Sequence, residues 1–496
     1  MTHNTPPHPG LTGEPVYLDY NATTPVDPRV AEAMLPHLTH FFGNPSSDHP
    51  YSVEPRSALA HARAQVAALI GARADEIVFT ASGSEADLLA LRGAVLASGR
   101  RRPHVIAQVT EHPAVLEACR ALQRLHDARV TLLPVDGDGL VDPAALTEAL
   151  DEDTVLVSVM AANNETGALQ PIGELAARAR AHGALFHCDA AQAAGKIPLD
   201  VTALGVDLLT LVGHKMYAPK GVAALYVRDG VRLEPVVYGG GQERGLRAGT
   251  ENVACAVALG AAAQLAADEL ADGAAVRIEA LRDDLHRRLA DGLPGRVRLN
   301  GPRKERLPNT LNISIDGAAG HQLLAAAPAV AASTGSACHS GAHTPSPVLT
   351  AMGLDAGRAL GALRLSLGRW TTSDDIAKAA TALIDAASTR AAATASAHNS
   401  TPHEADITVD GTGLLCVALL LKLRDRIQGA APGTVVHIIA TDPVAPLDLP
   451  AWCHMTGHHY LGPVTGDDRP IYAVRLASSE RRTRPDRPWH RYESGQ

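Results

Sequence analysis

The chain has 496 residues, too many for one ordinary hydrophobic core, so we expect two or three domains. A content of 46% hydrophobic and 20% charged residues is typical of a soluble globular protein, and a net charge of −9 gives no basic footprint for nucleic acid. The N-terminus lacks the apolar segment of a signal peptide, no apolar run approaches the ~18 residues of a membrane span, and scattered cysteines without paired spacing indicate a reduced, cytoplasmic protein.

Strands and helices alternate along the first half of the chain. The hydrophobic pattern predicts strands at 77–80, 105–109, 130–134, 154–160, 185–189, 208–212 and 222–227. It predicts helices at 28–38, 55–70, 86–97, 114–126, 143–150 and 171–181. Repeated βα units imply an α/β fold with a mainly parallel sheet covered by helices on both faces.

A second, smaller α/β unit follows. One long helical stretch at 254–286 leads to strands at 297 and 311–315, and a strand at 364–369 precedes a closing helix at 373–389. A polar loop at 333–347 holds Cys338. Residues 391–404 have the composition of a linker, and a compact unit with strands near 407, 435, 459 and 471 and helices at 417–427 and 447–455 comes after it.

Polar side chains cluster where four of the predicted strands end. In an open α/β sheet the carboxyl ends of the strands form the usual ligand crevice, so we expect one site there. The residues concerned are Glu111 and His112, Asn163 and Asn164, Asp189 and Gln192, and His214 and Lys215.

Lys215 is one of only six lysines in a chain that otherwise uses arginine. An amine at a strand end that can lose its proton, as arginine cannot, suits a Schiff base with an aldehyde. The alternative is a surface lysine on a turn.

Two loops could contact an anion. Ser82, Gly83 and Ser84 lie in a strand–turn–helix, which directs free N–H groups and a helix dipole towards a phosphate. The glycine-dense loop 239–250 carries Arg244 and Arg247, and we expect an anion contact there too, rather than a flexible linker.

Taken together these motifs resemble the class V, fold-type I pyridoxal-phosphate enzymes, and within them the NifS/IscS-like cysteine desulfurases, close to the selenocysteine lyases. The resemblance covers about residues 16–390 and implies a large cofactor-binding domain at 16–262 and a small domain at 263–390. It rests on YLDYNATTPVDPRV, FGNPSS, TEHPAVL, NNETG, HCDAAQAAGK, GHKMYAPKG, GGGQERGLRAGTEN, STGSACHS and LRLSLGR.

The resemblance implies pyridoxal 5'-phosphate as cofactor and assigns the residues around its ring. Lys215 would form the Schiff base, and His112 would stack on the ring and assist proton transfer. Asp189 would pair with the pyridinium nitrogen and keep it protonated. Gln192 would hydrogen-bond the phenolic oxygen, with Asn164 beside it.

Family roles also cover the phosphate and the substrate. Gly83, Ser84 and His214 would hold the phosphate, with Thr250 arriving from the other subunit of a homodimer. Arg364 and Asn164 would hold the substrate carboxylate, the arginine by a bidentate fork. Cys338 would be the nucleophile, with His339 and His343 as candidates to assist its ionisation.

One residue departs from the desulfurase pattern. Val212 stands where desulfurases usually carry a phosphate-binding serine, and selenocysteine lyases also tend to be apolar there. The substitution removes one expected phosphate contact and favours selenium as the alternative.

The C-terminal unit at 405–478, followed by a tail at 479–496, resembles the TusA/SirA-type sulfur carriers. Cys416 falls at the carrier thiol, before a helix whose dipole favours thiolate, although both prolines of the family's CPxP motif are absent. We interpret Cys453 as structural and His454, His458 and His459 as surface histidines, with no metal site.

These features predict a cysteine desulfurase that releases L-alanine from L-cysteine, holds the sulfur on Cys338 as a persulfide, and passes it to Cys416 and then to an acceptor protein. A selenocysteine lyase acting on L-selenocysteine is one alternative. A non-catalytic sulfur-carrier scaffold with a decayed cofactor site is another. A transaminase is a less favoured interpretation, because its reaction would give Cys338 no role.

Overall fold

The computed structural model describes residues 6–491 except 12, 14, 335–343, 399–404, 443, 465–468, 478–482 and 485–486. The chain forms two compact units, Met1–Ser388 and Thr389–Gln496. The boundary at residue 262 between a large and a small domain, both within the first unit, stays a prediction.

Twelve strands lie in the described part of the first unit. They are β1 (Val16–Tyr17), β2 (Ile77–Thr80), β3 (His104–Gln108), β4 (Arg129–Leu133), β5 (Thr154–Ser158), β6 (Leu185–Asp189), β7 (Leu208–Val212), β8 (Ala223–Val227), β9 (Val297–Leu299), β10 (Thr310–Ile315), β11 (Val330–Ala331) and β12 (Ala362–Ser366).

Thirteen α-helices accompany these strands in the described residues. They are α1 (Pro28–Thr39), α2 (Val53–Leu69), α3 (Gly83–Ala97), α4 (Pro113–His126), α5 (Pro143–Ala149), α6 (Ile172–Ala181), α7 (Val201–Leu204), α8 (Val253–Ala271), α9 (Ala274–Gly292), α10 (Gly320–Ala326), α11 (Pro347–Ala351), α12 (Ala356–Leu360) and α13 (Ser373–His398).

The large sheet has seven strands in the order β2-β8-β7-β6-β5-β3-β4, which confirms the predicted α/β class. Only β8 runs against its two neighbours, and all the other pairs are parallel. Because β2 is parallel to β7, the carboxyl ends of β2, β3, β5, β6 and β7 share one edge. The strand ends that carry polar residues therefore meet at that edge.

Both faces of the large sheet are covered, as the buried strands require. Apolar residues of α2, α6 and α8 pack on one face, and those of α3 and α4 pack on the other. A smaller antiparallel sheet, in the order β12-β10-β9, has its own apolar core with α9 and α13.

Two predicted segments differ from the structure. The single helix expected at 254–286 is two helices, because the chain turns between α8 and α9 at Gly273, whose φ of 77° is a left-handed conformation that ends a helix. Helix α13 continues to His398, so the first part of the predicted linker at 391–404 is helical.

Helix α8 is long and apolar enough, by length and composition alone, to cross a membrane. The apolar composition of α8 is also that of a core helix, since half of the helix is buried in the protein. A Cβ added at Gly260 would lie 2.7 Å from the Cα of Ala62 in α2, so the two helices pack backbone to backbone.

The second unit contains eight described elements. They are β13 (Ile407–Asp410), α14 (Cys416–Ile427), β14 (Val435–Ile439), α15 (Ala445–Thr456), β15 (His459–Val464), β16 (Ile471–Arg475), β17 (Thr483–Arg484) and β18 (Arg487–Arg491). Four strands form a mixed sheet in the order β13-β14-β16-β15, and β17 pairs with β18 within the tail.

The histidines near α15 are not all on the surface. Cys453 is buried, as expected of a structural cysteine, and His459 is exposed. His458, however, is buried against Trp452, and its Nδ1 accepts a hydrogen bond from the Ala477 N–H at 3.2 Å. The prediction was wrong for His458 because its ring packs into the core of this unit.

Candidate active site

A cavity of about 570 Å³ opens at the carboxyl edge of the large sheet. Most of the predicted site residues line it, although they come from separate loops. They are Gly83, Ser84, His112, Asn164, Asp189, Gln192, His214, Lys215 and Arg364. Cys338 lies outside the described residues, and Cys416 belongs to the second unit.

Lys215 follows β7 in a short 3₁₀ turn. Its Nζ donates to the backbone oxygens of Asn21 at 2.6 Å and Ala22 at 2.8 Å. Burial and, to a smaller extent, the positive charge of Arg364 lower the pKa of the Lys215 amine to about 8, although the charges of Asp189 and Asp19 act in the opposite direction. The amine can therefore lose its proton close to neutral pH, as a Schiff-base lysine must.

His112 is fixed in one tautomer by the helix that it begins. Its Nδ1 accepts a hydrogen bond from the Ala114 N–H at 3.2 Å at the N-terminus of α4, so the ring hydrogen lies on Nε2. Burial lowers the pKa of His112, which favours the neutral ring. A neutral ring held in this way can stack on a flat ligand and carry a proton on Nε2.

Asp189 ends β6 and lies near two further buried carboxyls: Asp87, which sequence analysis did not assign, and Glu111, which it placed at this edge without a role. Its Oδ1 accepts from the Ala191 N–H at 2.9 Å. Burial raises the pKa of Asp189, while the charges of His112 and Lys215 lower it. Burial and the Asp189 charge both raise the pKa of Asp87 and that of Glu111. A cationic ring nitrogen from a ligand would stabilise the ionised Asp189.

The opposite end of the cavity is the N-terminus of α3. Ser82 caps this helix by accepting from the Glu85 N–H at 3.2 Å, which leaves the N–H groups of Gly83 and Ser84 for an anion. A Cβ at Gly83 would lie 2.7 Å from Cγ2 of Val212, so this valine packs against the turn. His214 lies beside it, and burial lowers the pKa of its ring to about 4.

The glycine-dense loop does not present its arginines to this cavity. Arg244 donates to the backbone oxygen of Ile77 at 3.2 Å, and Arg247 pairs with Glu85 at 2.8 Å. These two guanidinium groups bind groups of the same chain, and the anion contact predicted for the loop stays a prediction. Thr250 is exposed and does not line the cavity of its own chain.

Arg364, in β12, lines the cavity, and two hydrogen bonds fix its guanidinium. Its Nη2 donates to Asp19 Oδ1 at 2.8 Å and its Nη1 to the backbone oxygen of Asn164 at 3.2 Å. Its Nε is buried without a partner among the described residues. A ligand carboxylate would bind this guanidinium in competition with Asp19, a residue that sequence analysis did not assign.

Asn21 is a further residue that sequence analysis missed. Its backbone oxygen accepts from both Lys215, at 2.6 Å, and Gln192, at 2.9 Å. Its side chain donates to Thr310 Oγ1 at 2.9 Å. The motif YLDYNATTP was visible in the sequence, but its spacing gave no reason to place Asn21 beside a lysine 194 residues away.

The donor set fits pyridoxal 5'-phosphate. An ionisable amine lies between a buried carboxylate, which suits a pyridine nitrogen, and a helix N-terminus, which suits a phosphate. With a mainly parallel sheet, this arrangement defines a fold-type I pyridoxal-phosphate enzyme. No group of three His, Cys, Asp or Glu side chains that could hold a metal ion occurs in the part of the chain that the structure describes.

The chain belongs to the class-V aminotransferase family, whose model matches residues 16–378. The sulfurtransferase TusA model matches residues 407–476. The mitochondrial cysteine desulfurase of Drosophila melanogaster is 47% identical over 367 residues, which cover 73% of this chain and 79% of that protein.

Two solved structures are similar to the first unit. A NifS-like protein has 35% sequence identity and a TM-score of 0.70, with 75% of this chain and 99% of the other covered. SspA in complex with cysteine has 34% identity and a TM-score of 0.64, with 72% and 99% covered.

Proposed function

We propose that the protein is a pyridoxal-phosphate-dependent cysteine desulfurase that passes sulfur to its own C-terminal carrier unit. The observation that carries this proposal is the meeting of Lys215, Asp189 and Arg364 in one cavity. The cysteine desulfurase at 47% identity and the cysteine complex of SspA support the substrate.

When bound, pyridoxal 5'-phosphate supplies an electron sink next to the substrate. Lys215 would hold it through the amine, and Asp189 would keep its ring nitrogen protonated. Gln192 would donate to its phenolic oxygen, and the N-terminus of α3 with His214 would bind its phosphate.

Arg364 and Asn164 would orient an amino acid by its carboxylate. The guanidinium is already held at the cavity by Asp19 and by the backbone oxygen of Asn164, and a substrate carboxylate would replace Asp19 as its partner. Once its amine is free, Lys215 can accept and return a proton, because burial lowers its pKa to about 8. His112, neutral and carrying its hydrogen on Nε2, can move a second proton.

Cys338 would take the sulfur from L-cysteine. The new S–S bond forms as the substrate C–S bond breaks, and the substrate carbon then takes up a proton to give L-alanine. Both flanks of the loop are attached to the cavity region. Ser333 lines the cavity and pairs through its backbone with Arg364, and Ser346 Oγ donates to Glu165 at 2.5 Å.

Cys416 would receive the sulfur from Cys338 and pass it to an acceptor protein. Helix α14 begins at Cys416 even though the two prolines of the family motif are absent. A cysteine at the first position of a helix is favoured as a thiolate by the helix dipole. Its neighbours Leu415 and Val417 are 78% and 50% exposed, whereas Leu419 is buried. Fusion raises the effective concentration of the carrier to roughly the millimolar range.

A second copy of the chain would complete the phosphate site. Thr250 is exposed away from its own cavity, as expected if it serves the partner subunit. Phe42 and Tyr51 stack on each other while 72% and 67% exposed, and Tyr238 is 63% exposed. Large exposed aromatic side chains are typical of a surface that another protein covers. We place this homodimer in the cytoplasm because of its scattered thiols.

The selenocysteine lyase alternative depends on Val212, and the cysteine desulfurase relative does not favour it. The decayed scaffold is not favoured either, since Lys215, Asp189 and Arg364 all line the cavity. A comparison of L-alanine release from L-cysteine and L-selenocysteine tests both. We expect turnover of L-cysteine in the wild type and its loss in Cys338→Ala, while the control Cys255→Ala stays active. Turnover of L-selenocysteine alone would show a lyase, and no turnover of either would show a scaffold.

A further inference from the structure

Lys196 is a second lysine amine next to the candidate active site, and the proposed reaction gives it no role. It ends the motif HCDAAQAAGK, seven residues after Asp189, the last residue of β6, at the edge of the cavity. Its Nζ donates to Gln192 Oε1 at 2.7 Å and to Asn21 Oδ1 at 3.3 Å. Lys196 lines a neighbouring cavity and not the one that Lys215 lines. It can therefore act on the candidate active site only through the residues that it contacts.

Two contacts fix the amide of Gln192 in one orientation. The backbone oxygen of Asn21 can only accept, so the amide nitrogen must face it, at 2.9 Å. Lys196 donates to the amide oxygen on the other side. Since the Gln192 nitrogen has two hydrogens and one goes to Asn21, its second hydrogen is left for the cavity that Gln192 lines.

The same contacts hold Asn21 in place. Asn309 Nδ2 donates to Asn21 Oδ1 at 3.0 Å, the atom that Lys196 also binds. The backbone oxygen of Asn21 in turn accepts from Lys215. Lys196 therefore hydrogen-bonds to Asn21, the residue whose backbone oxygen accepts from both Gln192 and Lys215.

We propose that Lys196 is a positioning residue that orients the Gln192 amide so that its N–H faces the phenolic oxygen of pyridoxal 5'-phosphate. This inference rests on the proposed function, since it concerns the cofactor of that same site. A donor at this oxygen stabilises its negative charge and so lowers the proton affinity of the adjoining Schiff-base nitrogen. Lys196 would thus set the pH at which the bound cofactor changes its absorbance.

A lysine suits this place better than an arginine would. Burial lowers the pKa of Lys196 well below its ordinary value, and the charges of Lys215 and Arg364 lower it further. This shift favours the neutral amine, which donates to Gln192 without adding a third positive charge beside these two. An arginine would keep its charge.

The test uses the full-length, cofactor-loaded protein and follows the absorbance band of the bound cofactor from pH 5 to pH 10. Lys196→Met keeps the length of the side chain but removes its donors. We expect the pH midpoint of the band to rise by about one unit, which is tenfold in proton affinity. Lys378→Met, at an exposed position of α13, is the control and should leave the midpoint unchanged.

A double-mutant cycle shows whether Lys196 acts through Gln192. Gln192→Leu alone should raise the midpoint at least as much as Lys196→Met, and the double variant should equal Gln192→Leu. A midpoint in Lys196→Met equal to that of the wild type would overturn the inference, and so would additive shifts in the double variant. A wild type that acquires no cofactor band would instead refute the proposed function. If Lys196→Met does not fold, Lys196→Leu replaces it, since leucine also has no donor, with the same expected direction and the same contradicting result.

Discussion

The two candidate sulfur-handling regions are built in opposite ways. The cavity of the first unit lies at the edge of a sheet and combines residues from at least five separated loops, with Asp189 and Arg364 only 6% and 5% exposed. The carrier position of the second unit is one residue at the start of α14, between neighbours that are mostly exposed.

The difference follows from the chemistry of each region. An amine can be deprotonated near neutral pH, and a ring nitrogen can be kept protonated, only where burial and neighbouring charges shift the pKa values. A carrier thiol needs to meet two different partners, so it needs access, and a helix N-terminus supplies its electrostatic help at the surface. We therefore expect substitutions in the cavity to have large effects on turnover and substitutions at the carrier to affect transfer alone.

The largest effect is expected for Lys215→Ala. The variant should lose the cofactor absorbance band and at least about a thousandfold in turnover, equivalent to ~4 kcal/mol, because no other amine takes its place. Absorbance spectra and L-alanine release measure both. Lys220→Ala is the matched control on the same stretch and should keep the band. A full band in Lys215→Ala would show that another lysine holds the cofactor.

Asp189→Asn should keep part of the bound cofactor and lose most activity. The ring nitrogen would no longer be held protonated, so we expect a drop of more than about tenfold in kcat, or ~1.4 kcal/mol. Steady-state kinetics with saturating cofactor measures this drop. A smaller loss would mean that Asp87 or Glu111 does the work assigned to Asp189.

Cofactor loading should depend on pH through Lys215. Only the neutral amine attacks an aldehyde, and burial lowers the Lys215 pKa to about 8. When cofactor is added to the apoprotein, the rate of band formation should rise about tenfold per pH unit below that value and level off above it. A rate that still climbs steeply at about pH 10, near the ordinary lysine pKa, would contradict the burial effect.

The smallest effect is expected at Val212. Val212→Ser would add a hydroxyl next to the N-terminus of α3 but lose packing against Gly83. A hydrogen bond to a charged phosphate exceeds the lost packing by only a little, so cofactor affinity should rise about two- to tenfold. Val212→Ala removes the packing without adding a donor and is the control. Equal cofactor affinities of Val212→Ser and Val212→Ala would show that a serine hydroxyl at this position does not reach the phosphate.

Much of this structure was predictable from the sequence. Apolar runs that end in glycine or polar residues predicted β2, β6 and β7 with the same bounds as the structure, because buried strands need continuous apolar side chains. Their parallel direction then brought Asp189 and Lys215 together.

Contacts between distant residues could not be predicted in this way. Asn21 meets Lys215 and Lys196 through backbone and amide atoms, which leave no trace in residue spacing. The break at Gly273 was hidden because both flanking segments have the same helical pattern. His458 is buried by tertiary packing alone.

The most direct test of internal sulfur transfer is to follow ³⁴S from labelled L-cysteine by mass spectrometry of intact cysteine peptides. The label should appear first on Cys338 and then on Cys416. In Cys416→Ser, with a reductant present, L-alanine release should stay near the wild-type rate while transfer to an acceptor protein is lost. Label that accumulates on Cys338 and never reaches Cys416 would contradict the account and make the C-terminal unit a docking module.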